Sequence, residues 1–136
     1  MASLPVDKCD SQGLRSVSFT VQGEPASKAN SRQLVTIKGR PAFIKSAKAR
    51  RYVIDFKKQC PKLNQMLEGD LSIEIHIWYA SRRPDLDASL IFDAMEGMIY
   101  PNDRRLKQMH LFWHLDRKNP RAEITVKQIR LEESYI

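Results

Sequence analysis

Three aspartates stand at the two ends of one short apolar segment, where their side chains could bind a divalent metal ion. Asp85 and Asp87 follow an alternating apolar stretch, and Asp103 comes after the segment. Carboxylate oxygens are hard ligands that suit Mg²⁺, which takes one or two protein carboxylates and keeps water or phosphate oxygens elsewhere. Both positions are flanked by basic residues: Arg82, Arg83, Arg104 and Arg105. Acids within basic surroundings predict metal-assisted chemistry on a phosphodiester.

Each of these aspartates also has a purely structural interpretation. Asp85 or Asp87 could cap the helix that follows, because Asp is a preferred N-cap residue. Asp103 follows Asn102, a pair that is common in turns. One helix needs only one cap, so capping does not account for Asp85, Asp87 and Asp103 together. Asp93, in the middle of the predicted helix, could support a metal site or hold a loop arginine.

The composition favours a polyanionic partner. The chain has 136 residues and a formal net charge of +7, and its hydrophobic fraction of 42% is ordinary for one globular domain. A basic protein without such a partner remains an alternative. Cys9 and Cys60 fit neither a disulfide framework nor a zinc site. No segment resembles a membrane span or a signal peptide, so we expect a cytoplasmic protein.

Basic residues occur in several short groups along the chain, and we expect these groups to contact DNA phosphates. A solvated charged surface is the alternative for each group. The candidate DNA-binding residues are Lys28, Arg32, Lys38, Arg40, Lys48, Arg50, Arg51, Arg82, Arg83, Arg104, Arg105 and Lys107.

The first half of the chain shows both strand and helix patterns. Residues 1–15 have no clean period and are predicted to form a flexible arm, whereas residues 16–21 alternate as a strand does. Residues 34–44 predict a hairpin with a cationic tip around Gly39. Residues 46–60 predict a helix that is capped by Ser46 and ended by Pro61.

The second half carries the candidate site between a strand and a helix. Residues 71–79 alternate most clearly, and they place His76 on the less apolar face of a strand, where we expect a partly exposed residue rather than a metal ligand. Residues 87–98 predict the second main helix. Residues 106–115 and 122–127 predict two further strands, paired as an antiparallel hairpin. Residues 16–136 are therefore predicted to form a single α+β domain with a mixed, mostly antiparallel sheet.

Several segments resemble the RusA family of phage-derived Holliday-junction resolvases. Residues 83–87, 92–97 and 99–104 read RPDLD, FDAMEG and IYPNDR. The family pattern is roughly Asp-x-Asp-Asn, then a helix that contains Lys and ends in Asp-Ala-Leu, then an acidic turn before a strand. Residues 21–28, VQGEPASK, are similar to the family's early strand and basic loop. The resemblance covers about residues 16–130.

This resemblance implies a small α+β homodimer that binds branched four-way DNA and cuts symmetrically placed phosphodiesters in recombination and repair. Mg²⁺ or Mn²⁺ would be the cofactor. The metal-binding and catalytic aspartates of the family correspond to Asp85, Asp87 and Asp103, and the helical aspartate, a supporting residue, corresponds to Asp93.

The chain departs from the family pattern within the predicted helix. Ala88 stands where the family has Asn, and Ile91 stands where it has Lys. The segment between Asp87 and Asp93 is also about two residues shorter than is usual in the family. Lys107 or Arg105 could replace the missing Lys in space. The alternatives to a resolvase are a branched-DNA-binding protein with weak or no catalysis, and a protein that binds RNA or a protein partner.

Overall fold

The computed structural model describes residues 5–26 and 32–131, and it shows an α+β domain with two helices on one mixed sheet. In chain order the elements are β1 (Val6–Cys9), β2 (Arg15–Gln22), β3 (Arg32–Ile37), β4 (Arg40–Lys45), α1 (Ala47–Gln59), β5 (Leu71–Tyr79), α2 (Ser89–Met95), β6 (Leu106–Leu115) and β7 (Arg121–Gln128). The predicted fold class is confirmed.

The five-stranded sheet has the order β1-β2-β7-β5-β6, and β5 and β6 are its one parallel pair. One face of the sheet is apolar because the strands alternate: Ile73, Ile75 and Ile77 of β5 are fully buried there, whereas Glu74 is exposed. Helices α1 and α2 pack together, and Phe56 of α1 meets Phe19 of β2 edge to face at 6.1 Å between ring centroids. The core therefore lies between this face and the helices.

The predicted hairpin of residues 106–115 and 122–127 is wrong. Both strands form, but β5 lies between them, parallel to β6 and antiparallel to β7. The connection carries the chain across the end of β5, where the Asp116 amide donates to the Tyr79 carbonyl at 2.9 Å. Asp116 also accepts from the amides of Lys118 and Asn119 at 3.1 and 3.2 Å. The Asp116 side chain therefore stabilises a turn that is wide enough to pass over β5. The turn residues 116–120 indicated a change of direction but not a direct pairing of β6 with β7.

Helix α2 is shorter than the predicted residues 87–98. It begins at Ser89, because the Asp87 side chain accepts a hydrogen bond from the Ser89 amide at 3.0 Å. Ala88 is left outside helical geometry. It ends at Met95, because Glu96 is extended and Gly97 has a φ of +80°, a conformation that glycine adopts without strain. The apolar side of α2 is buried against the core, and its buried residues are Leu90, Ile91, Ala94 and Met95.

The other predicted elements form close to their expected positions. Helix α1 spans Ala47–Gln59, and the Ser46 hydroxyl accepts from the Ala49 amide at 3.1 Å. Strands β3 and β4 form the basic hairpin as a separate two-stranded sheet. Within the predicted N-terminal arm, Val6–Cys9 form edge strand β1, so regular structure begins earlier than the sequence indicated. None of the helices in the described ranges is long and apolar enough to cross a membrane.

Candidate active site

The loop after β5, residues 80–88, carries Asp85 and Asp87 and is held by two aromatic side chains of the sheet. The Tyr79 hydroxyl donates to the backbone carbonyl of Asp85 at 3.1 Å and accepts from the backbone amide of Asp87 at 3.2 Å. On β6, the indole N–H of Trp113 donates to the Pro84 carbonyl at 3.0 Å. The backbone that presents both carboxylates is thus fixed by contacts with the sheet.

Asp87 has one satisfied and one unsatisfied carboxylate oxygen. Its Oδ1 accepts from the Ser89 amide and forms a local turn before α2, whereas the N-cap position itself is Ala88, so Asp87 does not cap the helix. Its Oδ2 is buried and has no hydrogen-bond partner among the described residues. A buried charged oxygen is costly unless it is paired or bound to a metal. Asp87 is therefore suited to act as a ligand of a cation. The exposed Asp85 lies two residues away in the chain.

Glu24, which follows β2, lies at the same end of the sheet. Its Oε1 accepts from the Ala80 amide at 2.9 Å, directly after the last residue of β5. Burial raises the pKa of Tyr79, and the negative charges of Asp87, Glu24 and Asp85 raise this pKa further. The Tyr79 hydroxyl therefore stays protonated at neutral pH and remains a donor to the loop.

Asp103 lies at the other end of α2. It is exposed and begins a one-turn 3-10 helix, Asp103–Arg105, in which the Asn102 side chain accepts from the Arg104 amide at 3.2 Å. The Asp103 amide donates to Glu96 Oε1 at 2.9 Å.

Tyr100 is buried beside this second group of acids, and its hydroxyl donates to the Phe92 carbonyl at 2.8 Å. Burial raises the pKa of Tyr100, and the charges of Asp103, Glu96 and Asp93 add to this effect. Asp93 is exposed on α2, and its charge acts on the Tyr100 hydroxyl as the charge of Asp103 does.

The parallel pairing of β5 and β6 separates the three aspartates within one chain. Asp85 and Asp87 follow the C-terminal end of β5, whereas Asp103 precedes the N-terminal end of β6, where Leu106 pairs with Leu71. The ends of the nine-residue β5 are about 26 Å apart. Helix α2, which lies between the two acidic positions, is about 10 Å long.

One Mg²⁺ ion binds oxygens at about 2.0–2.1 Å, much less than the length of α2, about 10 Å, which lies between the two acidic positions. In agreement, the described residues contain no group of three His, Cys, Asp or Glu side chains placed to hold a metal ion. Asp85 and Asp87 thus lie on one loop and their charges both act on Tyr79, whereas the charges of Asp103 and Asp93 both act on Tyr100.

Basic side chains are exposed at both acidic ends of α2. Arg82 and Arg83 project from the loop after β5. At the far end, Arg104 and Lys107 are exposed, Arg105 pairs with Glu68 at 3.3 Å, and a shallow groove is lined by Asp70, Asn102, Arg104, Arg105 and Lys107.

The remaining candidate DNA contacts lie on the hairpin and on α1. Lys38 and Arg40 are exposed at the hairpin tip, and Lys48, Arg50 and Arg51 are exposed on α1. Arg32 begins β3 with its side chain outside the described structure, and Lys28 lies outside the described residues. The DNA-binding role of all these residues remains a prediction.

The histidines lie away from both acidic ends of α2. His76 is partly exposed on the open sheet face, as predicted, and its Nδ1 lies 2.8 Å from Nε2 of His114 on the neighbouring strand. Sequence reasoning missed the residues that hold the acids in place, which are Glu24, Tyr79, Trp113, Glu96 and Tyr100. The position of Glu24, between the end of a strand and Pro25, was the one available signal.

The family of the chain follows from comparison with known proteins. A family model described as endodeoxyribonuclease RusA matches residues 22–127, which include both helices, both acidic ends of α2, strands β5 and β6, and β7 except its last residue. No curated protein matches significantly. The matched region is well over half of the chain, and this chain therefore belongs to the RusA family of endodeoxyribonucleases.

Proposed function

We propose that this protein is a divalent-metal-dependent endonuclease that resolves Holliday junctions in DNA recombination and repair, in the cytoplasm of a bacterial cell. One observation supports the metal dependence above all others. The buried Oδ2 of Asp87 has no partner among the described residues, in a loop that the sheet holds in place. A nuclease family, a net charge of +7 and a buried carboxylate oxygen without a partner among the described residues together favour metal-assisted hydrolysis of a phosphodiester.

Asp85 and Asp87 would hold the ion, and Mg²⁺ or Mn²⁺ fits the hard oxygens of their carboxylates. When bound, such an ion lowers the pKa of a water molecule and stabilises the charge that develops on the phosphate. Arg82 and Arg83 are exposed on the same loop, where they would bind the phosphates beside the scissile bond.

Asp103 joins this site in our proposal from a second copy of the chain. A single chain holds Asp103 beyond the far end of α2, about 10 Å of helix away from Asp87. In a twofold dimer, the commonest oligomer, a packing that sets the C-terminal end of α2 in one copy against the N-terminal end of α2 in the other would bring Asp103 to Asp85 and Asp87 of the partner. Two such sites related by the twofold axis would also suit two symmetric cuts across a junction.

A site shared between two copies would also supply a cation in place of the family's helical lysine, which this chain lacks. Ile91 is fully buried in the core, so this chain offers no cation at that position. Lys107 and Arg105 lie close to Asp103 in sequence and line one groove with Asn102. A second copy that supplies Asp103 would supply these cations too, while Asp93 would support Asp103 from α2.

The primary test is cleavage of a synthetic four-way junction with Mg²⁺, with Mn²⁺ and with EDTA. We expect metal-dependent symmetric cuts, and junction binding that persists in EDTA. The second candidate function, a binding protein without catalysis, is favoured by Ala88 and Ile91 in place of the family's Asn and Lys. Junction binding without cleavage in either metal would establish that alternative and refute the nuclease.

Mixed dimers test whether the site is shared between two copies. Asp87→Asn and Asp103→Asn chains would each form inactive homodimers. If each site is shared between the two copies, both altered residues of a mixed dimer fall in one site. The other site is then intact and nicks one strand. If each site is built from a single chain, every site in the mixed dimer carries one defect, and mixing restores no cleavage.

A further inference from the structure

Tyr79 uses both hydrogen-bonding capacities of its hydroxyl on the backbone that carries the acid pair. It donates to the carbonyl of Asp85 and accepts from the amide of Asp87, at 3.1 and 3.2 Å. Tyr79 is only 1% exposed to solvent, so its ring cannot move without disturbing the core. The geometry of Asp85 relative to Asp87 is therefore linked to one rigid side chain of the sheet.

Two further side chains hold the same loop, one on β6 and one in the segment after β2. Trp113 stacks on Tyr79 with ring centroids 5.8 Å apart and donates to the Pro84 carbonyl at 3.0 Å. Glu24 accepts from the Ala80 amide at 2.9 Å, across a sequence separation of 56 residues. The loop is thus held at its start, before Asp85 and between the two aspartates.

We propose that Glu24, Tyr79 and Trp113 form a loop clamp of positioning residues that sets the geometry in which Asp85 and Asp87 receive the metal ion. This proposal rests on the proposed function. Mg²⁺ demands nearly ideal octahedral geometry, so small errors in ligand position weaken its binding. Loss of groups that orient metal ligands typically costs 10–100-fold in affinity or activity.

Tyr79→Phe tests the clamp while keeping the buried ring. Calorimetry with Mn²⁺ should show binding weakened about 10–100-fold, and the Mg²⁺ concentration for half-maximal junction cleavage should rise to match. Cleavage at saturating Mg²⁺ should recover toward the wild-type rate, because every ligand remains. Tyr52→Phe is the matched control, since the Tyr52 hydroxyl is buried on α1 with no partner among the described residues. That control should leave metal binding unchanged.

Glu24 offers a second test on a partly exposed side chain, which keeps the proposal falsifiable if Tyr79→Phe fails to fold. Glu24→Gln retains an oxygen that can accept from the Ala80 amide, whereas Glu24→Ala does not. We expect wild-type Mn²⁺ affinity for Glu24→Gln and a weakened affinity for Glu24→Ala. Thermal unfolding of each variant reports whether the folded state persists at the assay temperature.

Two results would overturn the clamp while leaving the nuclease intact. One is wild-type metal affinity in both Tyr79→Phe and Glu24→Ala. The other is an equal loss in Glu24→Gln and Glu24→Ala, which would assign the effect to the charge of Glu24 and not to its hydrogen bond. A wild-type protein that binds no Mn²⁺ and cuts no junction would overturn the proposed function and the clamp together.

Discussion

The two ends of α2 both present an aspartate beside arginines, but they are held in different ways. At the N-terminal end, the loop with Asp85 and Asp87 is bonded to side chains of β5, of β6 and of the segment after β2. At the C-terminal end, Asp103 and its turn are held by Glu96 and Asn102, and Tyr100 bonds to Phe92. These side-chain contacts join residues no more than eight positions apart, and the longer-range contacts at this end, from residues 63–68, reach Met98, Ile99 and Arg105 rather than Asp103.

This difference indicates where positional accuracy is needed. The N-terminal end contains the buried, unpartnered oxygen of Asp87, and contacts across the sheet hold its backbone in place. The C-terminal end exposes Asp103 on a local turn, which suits a residue that would complete a site on a second copy. The predictions below test whether the two ends belong to one chemistry and how each is held.

The largest effect is expected from removing a metal-binding charge at either end. Asp85→Asn, Asp87→Asn and Asp103→Asn should each lower cleavage by more than about 100-fold, because loss of a ligand should exceed the 10–100-fold cost of losing a group that orients one. Junction binding, measured by gel shift in EDTA, should persist or tighten, since repulsion of phosphate falls.

Asp55→Asn, on the exposed side of α1, is the control with the same chemical change and should cleave normally. If Asp103→Asn also cleaves normally, the two ends do not share one active site. If the three variants differ from wild type in neither cleavage nor stability, the aspartates act only in caps and turns, where Asn serves equally well.

A smaller effect is expected from the cations at the two ends. If each contacts one phosphate, Arg83→Gln and Lys107→Gln should each weaken junction binding and reduce the slope of log K against log salt by about 1. Wild-type protein should show a slope of about −0.9 for each phosphate contacted. Fluorescence anisotropy over a salt series measures these slopes.

Lys8→Gln is the matched control, because Lys8 is exposed on β1 at the edge of the sheet opposite β6. It removes the same charge and should leave the slope unchanged. A wild-type affinity that does not respond to salt would exclude phosphate contacts at both ends of α2.

Tyr100→Phe should lower the stability of the fold, whereas Tyr79→Phe should weaken metal binding. The substitution leaves the Phe92 carbonyl, near the end of α2, without the donor it has in the structure. We expect a loss of about 1–3 kcal/mol in the free energy of unfolding, measured with urea. Mn²⁺ affinity reduced as strongly as in Tyr79→Phe would show that both ends position the metal in the same way.

The smallest effect is expected at Asn102, whose side chain caps the turn that carries Asp103. Asn102→Ala should cost about 1 kcal/mol or less, the lower part of the range for loss of a cap. Asn102→Asp restores an acceptor and should recover most of that stability. Equal melting temperatures for Asn102→Ala and the wild type would show that this cap does not stabilise the turn.

Local patterns in the sequence predicted most of the elements. Alternation of apolar residues identified β2, β5, β6 and β7, and the combination of Ser46 and Pro61 predicted the ends of α1 to within one residue. The boundaries of α2 were less accurate, because an aspartate that could cap the helix forms a turn before it, and Gly97 ends it early. The acid pair and its family resemblance were likewise visible in the sequence alone.

The sequence by itself therefore determined the elements, the basic character and the acids that could bind a metal, because these depend on residues within a few positions of one another. Only the tertiary structure decided that β5 separates β6 from β7 and that Asp103 lies away from Asp85 and Asp87. It also decided that Glu24, Tyr79 and Trp113 hold the acidic loop. Strand pairing and the contact between Glu24 and Ala80 join residues far apart in the chain, so their free energy depends on the packing of the whole sheet, which no local pattern encodes.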